Sequence, residues 1–334
     1  MTEAPEHRGF WDQLPRPFYI LAPMADVTDN AFRRLITHCG KPDVFFTEFV
    51  SSDGLCSRGR ERLLHHLSYT EDQHPIVAQM WGTNPETHYQ TAQLLAELGF
   101  DGIDINMGCP VKNVCKTGGG SALIENPSLA RELIEATRQG GSGLPVSVKT
   151  RIGYATIDLV RWVEDLLEAE PAAITLHMRT RKEMSRVPAH WELMPEAIKA
   201  AASSRTLVVG NGDIRDLDHA DRLVAETGMD GAMLGRAVFG NPWLFSRRSC
   251  DAVTLRERFD TMLQHAVYFE QEFSSKKPFL LMRKHLMAHI SGIAGSKDLR
   301  LRLGEVSTAA DVRAALDWYT DTYGLDSSSS RIAG

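Results

Sequence analysis

The chain has 334 residues, 43% of them hydrophobic and 24% charged, with a net charge of −6. That is room for one large domain and a small one, without the long apolar run of a membrane span or the global positive charge of a nonspecific nucleic-acid binder. Five cysteines (Cys39, Cys56, Cys109, Cys115 and Cys250) lie scattered, with no paired Cys or His at ligand spacing, so neither a disulfide framework nor a metal site is expected.

Residues 1–17 are polar and contain no apolar signal core. They read as an N-terminal extension of a reduced, cytoplasmic protein. From residue 18 onward, short β-branched or apolar runs recur at 18–21, 44–47, 76–79, 102–106, 146–149, 174–177, 207–210 and 231–234. Amphipathic stretches lie between most of them. Residues 88–98 carry apolar side chains near helical spacing, 159–167 place Leu159, Trp162, Val163, Leu166 and Leu167 on one stripe, and 220–226 follow the same rule. Alternating strands and helices predict a parallel sheet with right-handed crossovers. Eight strands close a (β/α)8 TIM barrel over residues 18–246. An open doubly wound sheet is the alternative, but its first strand would normally end in a glycine-rich fingerprint, and here it ends in Ala22-Pro23-Met24-Ala25.

In such a barrel the working side chains stand at the C-terminal strand ends. Reading along the chain, these are Pro23, Met24 and Ala25; Thr47 and Glu48; Gln79; Asn106; Lys149 and Arg151; His177 and Arg179; Asn211, Gly212 and Asp213; and Gly235 and Arg236. Polar endings on successive apolar runs suggest a ligand-lined mouth. The fourth end is the most distinctive. Asp104-Ile105-Asn106-Met107-Gly108-Cys109-Pro110 hands a thiol to a loop, and Lys112, Lys116 and Gly118-Gly119-Gly120 follow. Cys109 is either a working thiol or a buried structural cysteine. The turns at 211–213 and 235–236 are small enough for backbone N–H groups to cradle a phosphate ahead of a helix start, with Arg236 adding a charged contact. Lys149 could form a Schiff base, bind phosphate or sit over an electron-rich ring edge. His177 could donate to the same group or be a satisfied core histidine, and Gln79 offers both amide edges to a flat heterocycle. Together they suggest a phosphorylated planar cofactor such as flavin mononucleotide (FMN).

After Asn241-Pro242-Trp243 the strand signal ends. Residues 255–273, 279–291 and 309–323 read as amphipathic helices, 299–303 as a shorter one, with glycines 292, 295 and 304 at their ends. A helical domain over 247–326 and a frayed tail over 327–334 are expected. Residues 247–334 carry 13 basic and 11 acidic side chains, against 24 and 32 in the rest, so a local basic patch is possible and a global one is not.

Ala22-Pro23-Met24-Ala25-Asp26-Val27-Thr28-Asp29, Thr47-Glu48-Phe49, Asp104 to Pro110, Gly119-Gly120-Ser121-Ala122-Leu123, Ser147-Val148-Lys149-Thr150-Arg151-Ile152-Gly153, Asn211-Gly212-Asp213, Leu234-Gly235-Arg236 and Met282-Arg283-Lys284-His285 occur in that order. In this ordered set the chain resembles the tRNA-dihydrouridine synthase family over roughly residues 18–320. The resemblance implies a flavin barrel with a helical domain that helps hold tRNA, NADPH or NADH as reductant, and reduction of uridine to 5,6-dihydrouridine. It implies that Pro23, Met24, Ala25, Gln79, Lys149, His177, Asn211, Gly212, Asp213, Gly235 and Arg236 hold FMN, and that Cys109 is the general acid. Asn106 would touch the flavin or the base, and Arg179 the base or the cofactor phosphate. Lys112, Lys116, Arg181, Lys182, Lys276, Lys277, Arg283 and Lys284 are candidate contacts to tRNA phosphates. A monomer is expected. Two departures stand out: the family's usual His-Gly-Arg-Thr is here His177-Met178-Arg179-Thr180, and residues 182–190 lack the usual aromatic-and-glycine pattern. Cys115 stands where a polar residue is expected. The alternatives are a flavin barrel reducing a free small molecule, such as a dihydroorotate or enoate oxidoreductase, and a flavin-free RNA-binding scaffold.

Overall fold

The computed structural model describes residues 8–249, 252–274 and 276–325; Cys250, residues 1–7 of the N-terminal extension and the tail at 327–334 lie outside them. The chain packs as two compact units. One comprises residues 1–28 and 42–235, the other residues 29–41 and 236–334.

The first unit is a barrel. Its strands are β1 (Phe18–Leu21), β2 (Phe45–Phe46), β3 (Val50–Ser51), β4 (Ile76–Trp81), β5 (Gly102–Met107), β6 (Val146–Arg151), β7 (Ala173–His177), β8 (Leu207–Asn211) and β9 (Gly231–Leu234). All pair in parallel, in the order β1-β9-β8-β7-β6-β5-β4-β2, with β3 beside the end of β4. A parallel bridge between Ile20 and Val44 closes the ring. The eight expected strand positions are all occupied; the second is split into β2 and β3.

Helices α2 (Ser52–Leu55), α3 (Pro85–Glu97), α4 (Lys112–Lys116), α5 (Pro127–Gly140), α6 (Leu159–Leu167), α7 (Met194–Ala201) and α8 (Leu217–Thr227) connect the strands. Their starts are written in the sequence. Asn84 and Asn126 cap α3 and α5 with proline in the first turn, and Asp216 caps α8 by accepting from the His219 N–H.

The interior of the barrel changes character along its axis. At one end, Trp11 of the N-terminal segment packs with Phe18, Phe46, Val77, Ala173 and Leu207. Two residues further along the same strands, on the same face, stand Gln79 after Val77 and Thr175 after Ala173. Register pairs Gln79 with Asp104, and Asp104 with Ser147. One step higher, Asn106 pairs with Lys149, and His177 pairs with Asn211. In β5 the apolar Ile103, Ile105 and Met107 take the other face. An apolar plug thus gives way to a polar interior at the C-terminal strand ends.

The second unit is helical: α1 (Asn30–Cys39), α9 (Leu255–Phe273), α10 (Arg283–His289), α11 (Ser296–Leu303) and α12 (Ala309–Tyr323). Its core includes Ala31, Met262, Phe269, Phe273, Leu286, Leu299, Val312 and Tyr319. Thr308 and Asp311 form a capping box at the start of α12. Gly295 (φ +65°) precedes α11, and Gly304 closes it.

Candidate active site

A chain of hydrogen bonds crosses the polar interior. Ser147 Oγ donates to Asp104 Oδ1 (2.6 Å) and Gln79 Nε2 donates to Asp104 Oδ2 (2.7 Å). Asn106 Nδ2 donates to Gln79 Oε1 (2.9 Å). Asn106 Oδ1 then accepts from the backbone N–H groups of Gly108 (3.1 Å) and Cys109 (2.9 Å). Asp104 and Gln79 are fully buried. Burial pushes the Asp104 carboxyl up to about 6, against the pull of Ser147, Gln79 and Lys149.

The Cys109 backbone is held from its other side as well. Its carbonyl accepts from Ser121 N (3.1 Å), Ser121 Oγ (3.0 Å) and Cys115 Sγ (3.5 Å). Cys115 therefore helps fix the loop. Gly120 has φ +57°, and a Cβ there would lie 2.8 Å from the Cys109 carbonyl oxygen, so only glycine lets the loop approach this closely. The half-buried Cys109 thiol is pushed above its usual value, chiefly by burial. Its contact with the Val111 N–H and the charges of Arg151 and Lys149 pull the other way but do not win. The thiol is protonated at neutral pH.

Lys149 is half-buried, and Nζ donates to Asn211 Oδ1 (3.2 Å). Burial and the nearby Arg151 lower it to about 8, although Asp104 and Cys109 favour its charge. Asn211 Nδ2 in turn donates to the Met233 carbonyl (2.7 Å). Arg179 is buried; its Nη2 pairs with Asp213, its Nε donates to the Val187 carbonyl (2.6 Å), and its Nη1 lies 3.2 Å from His177 Nε2. A guanidinium only donates, so His177 Nε2 is the acceptor and the ring proton sits on Nδ1. Gly212 has φ +125°, with its Cβ position 3.1 Å from the His177 ring, and Trp191 Nε1 donates to its carbonyl (3.0 Å).

Of the expected site residues, Asn106, His177 and Asn211 stand at or one residue short of C-terminal strand ends of the first unit, Pro23, Met24, Ala25, Cys109, Arg179, Gly212, Asp213 and Gly235 just beyond them, and Gln79 and Lys149 two residues inside, because β4 runs on to Trp81 and β6 to Arg151. Met24 N donates to Thr28 Oγ1 (2.9 Å), which fixes the Pro23–Ala25 turn. Gly235 leaves room beside Met24, whose sulfur would be 3.4 Å from a Cβ there. Arg236 is exposed and begins the second unit; it opens a three-residue 3₁₀ turn, not the helix start expected there. Lys112 and Lys116 are exposed on α4. In the second unit Lys284 is exposed, while Arg283 is half-buried with Nη2 3.4 Å from the Val306 carbonyl. Lys277, a suggested phosphate contact, is buried instead, 3.8 Å from Asp29 Oδ2 and over the Phe273 ring.

Further participants are Glu48 and Arg151, strand-end residues that the resemblance leaves without a role, and Asp104 and Ser147, which lie inside their strands. Asp104 and Ser147 belong to the buried chain. Glu48 is 2% exposed, with Oε2 3.2 Å from His66 Nδ1 and Oε1 accepting from the Asp26 N–H (2.5 Å). Arg151 Nε donates to the Gly108 carbonyl (2.8 Å), and its Nη1 donates to the carbonyls of Thr180 and Met184 (both 3.1 Å), tying down the divergent segment after β7. Met178 is fully buried there. The available signal was parity: polar residues at the inward positions of otherwise apolar strands.

These residues suit a bound flavin mononucleotide. The interior is polar where a barrel core is usually packed with branched apolar side chains, Lys149 is a half-buried cation facing a neutral amide, and the His177 ring lies against the Gly212 turn. Among the described residues no group of three or more His, Cys, Asp or Glu could hold a metal ion, and no helix is long and apolar enough to cross a membrane.

A family model described as Dihydrouridine synthase (Dus) matches residues 20–322. A protein of Staphylococcus aureus (strain Mu50 / ATCC 700699) named "Probable tRNA-dihydrouridine synthase" is 44% identical over 315 residues, covering 92% of this chain and 95% of its own. "Probable tRNA-dihydrouridine synthase 2" of Bacillus subtilis (strain 168) is 42% identical over 320 residues, covering 94% and 98%. Among solved structures, a 2-naphthoyl-CoA reductase complex superposes with a TM-score of 0.52 at 12% identity, over 69% of this chain and 49% of that one, a likeness of fold alone.

Proposed function

The chain belongs to the dihydrouridine synthase family, and from that premise we propose that it reduces the C5=C6 bond of uridines in tRNA, with FMN as the cofactor, NADPH or NADH as the reductant and Cys109 as the proton donor. The observation that carries this reading is the Cys109 backbone, pinned at its N–H by Asn106 and at its carbonyl by Ser121, which holds the thiol beyond the end of a strand with a polar inner face.

A reduced flavin, when bound, would supply the hydride for C6 of the uracil ring. The negative charge then left at C5 and O4 needs a proton at C5. The Cys109 Sγ–H provides it, and the resulting thiolate recovers a proton from water. A thiol suits this step because it is protonated at neutral pH yet acidic enough to give its proton to an enolate carbon. A thiolate would attack the ring instead, and here burial outweighs the nearby cations.

The other residues bind and orient. Lys149, lowered to about 8 and so still mostly charged at neutral pH, would hold the electron-rich edge of the cofactor ring, and His177 would donate to the cofactor. Asn106 would face the rings, while Gln79, fully buried with its amide spent on Asp104 and Asn106, would orient Asn106 instead of touching the cofactor. Pro23, Met24, Ala25, Asn211, Gly212, Asp213, Gly235 and Arg236 would complete the flavin site, with Arg179 holding His177 and Asp213 in place. Lys112, Lys116, Arg283 and Lys284 would meet RNA phosphates, and the uridine would have to leave the RNA stack to be reached.

The test is Cys109→Ala. The variant keeps its yellow flavin and its oxidation of NADPH but forms no dihydrouridine in unmodified tRNA. Normal turnover would overturn the proton-donor assignment. Reduction of free pyrimidines in preference to tRNA would overturn the substrate.

A further inference from the structure

The hydrogen-bond chain that ends on Cys109 has its polarity fixed at both ends. At the thiol end the partners are backbone N–H groups, which only donate, so Asn106 must turn its oxygen toward Gly108 and Cys109. Its nitrogen then faces Gln79, whose oxygen must accept (2.9 Å). The Gln79 nitrogen is thereby forced to donate at the far end, and only an acceptor can stand there. Asp104 is that acceptor (2.7 Å), with its second oxygen taken by Ser147 (2.6 Å). The backbone N–H groups at one end and the buried carboxyl at the other thus hold both amides in the same sense, and without an acceptor at Asp104 the Gln79 nitrogen would be left buried with no partner for it.

We infer that Asp104 is a positioning residue for the reaction: by fixing how the Gln79 and Asn106 amides face, it sets the backbone from which the Cys109 thiol projects. The inference rests on the reading of Cys109 as the proton donor. Asp104 is fully buried behind Gln79 and Asn106 and acts through them. The carboxyl is also within electrostatic reach of Lys149, each favouring the other's charge. Neutralising Asp104 leaves one of its oxygens able to accept from Gln79, so the chain needs an acceptor at this position more than a charge.

The decisive comparison is Asp104→Val against Asp104→Asn. Valine fills the space and removes the acceptor. Asparagine keeps an oxygen for Gln79 and turns its nitrogen to Ser147, whose hydroxyl can accept. In Asp104→Val, kcat for tRNA falls ~10-fold or more with KM changed by less than about twofold, as misplacement of a reacting group requires. In the same variant without tRNA, alkylation of Cys109 by iodoacetamide, read by mass spectrometry, speeds up several-fold. Asp104→Asn recovers most of both parental values. If Asp104→Val does not fold, Gln79→Met cuts the chain one link nearer the thiol and must raise the alkylation rate in the same way. Parental kcat and alkylation in Asp104→Val, parental alkylation in Gln79→Met, or equal impairment of the Val and Asn variants overturns the role of Asp104. Cys109→Ala separates the two levels: its inactivity alongside a parental Asp104→Val defeats the positioning role alone, whereas its full turnover defeats the reading beneath it.

Discussion

Cys109 and Gly120 show how a single residue's chemistry depends on another's lack of a side chain. The Gly118-Gly119-Gly120 run looks uniform in sequence, yet its members have different duties. Gly118 has φ +84° with its nearest neighbour 3.8 Å from an added Cβ, whereas Gly120 has φ +57° and would press a Cβ to 2.8 Å from the Cys109 carbonyl and 2.9 Å from Val114. Gly118→Ala is therefore expected to cost only the left-handed backbone penalty, ~1 kcal/mol of unfolding free energy, and to leave kcat for tRNA near parental. Gly120→Ala adds an overlap with the backbone that carries the thiol, costing ~2–3 kcal/mol and lowering kcat for tRNA ~10-fold or more. Denaturant unfolding and single-turnover dihydrouridine assays on the pair check this. Equal effects of the two alanines would show that the close approach at Gly120 does not matter.

The helices of the second unit set another trade between burial and charge. His265 on α9 and His285 on α10 pack ring to ring (4.8 Å), with Phe32 of α1 against both and Phe239 stacked on His285. Burial pushes His285 down to about 3 and His289 to about 4, and holds His265 well below its usual value. All three are neutral when folded, and the unfolded chain takes up their protons below the ordinary histidine value. Their contribution is thus intact above about pH 6.5 and is lost as pH falls toward 4, at up to ~1.4 kcal/mol per pH unit for each histidine. Among the described residues, both ring nitrogens of His265 also lack a hydrogen-bond partner. His265→Leu is accordingly expected to raise stability by ~1–2 kcal/mol at pH 7 and by more at pH 5, measured by urea unfolding at both values. A gain that does not grow on acidification would contradict this account of the cluster.

These elements were largely legible in the sequence: strands buried on both faces read as continuous apolar runs, and caps such as Asn84, Asn126 and Thr308 announce their helices. The strand-end site residues followed from the fold's one-ended chemistry. The chain from Asp104 to Cys109 did not, because it joins residues 25 and 43 positions apart through a register only the folded sheet supplies. The burial of Lys277 was hidden for the same reason, since its partner Asp29 is distant in sequence.

At the scale of the whole molecule, packing and chain order disagree. The linear boundary is expected after residue 246, whereas the second unit takes up the chain from residue 236 and also contains residues 29–41. Ala31 sits in its core, Arg34 lies over the Tyr268 ring, and the Gly40 backbone approaches Ser246 so closely that a Cβ would be 2.6 Å away. A fragment beginning at residue 236 would leave the faces of α9 and α10 that pack on Phe32 open to water, and is expected to show no cooperative thermal transition and to bind a hydrophobic dye. A sharp transition in that fragment would show that α1 is dispensable. For related chains this limits what recombination can do. A crossover at residue 236 would graft helices that had left one of their number behind, so tails, and any substrate preference they carry, can be traded only together with thirteen residues from near the opposite end of the chain.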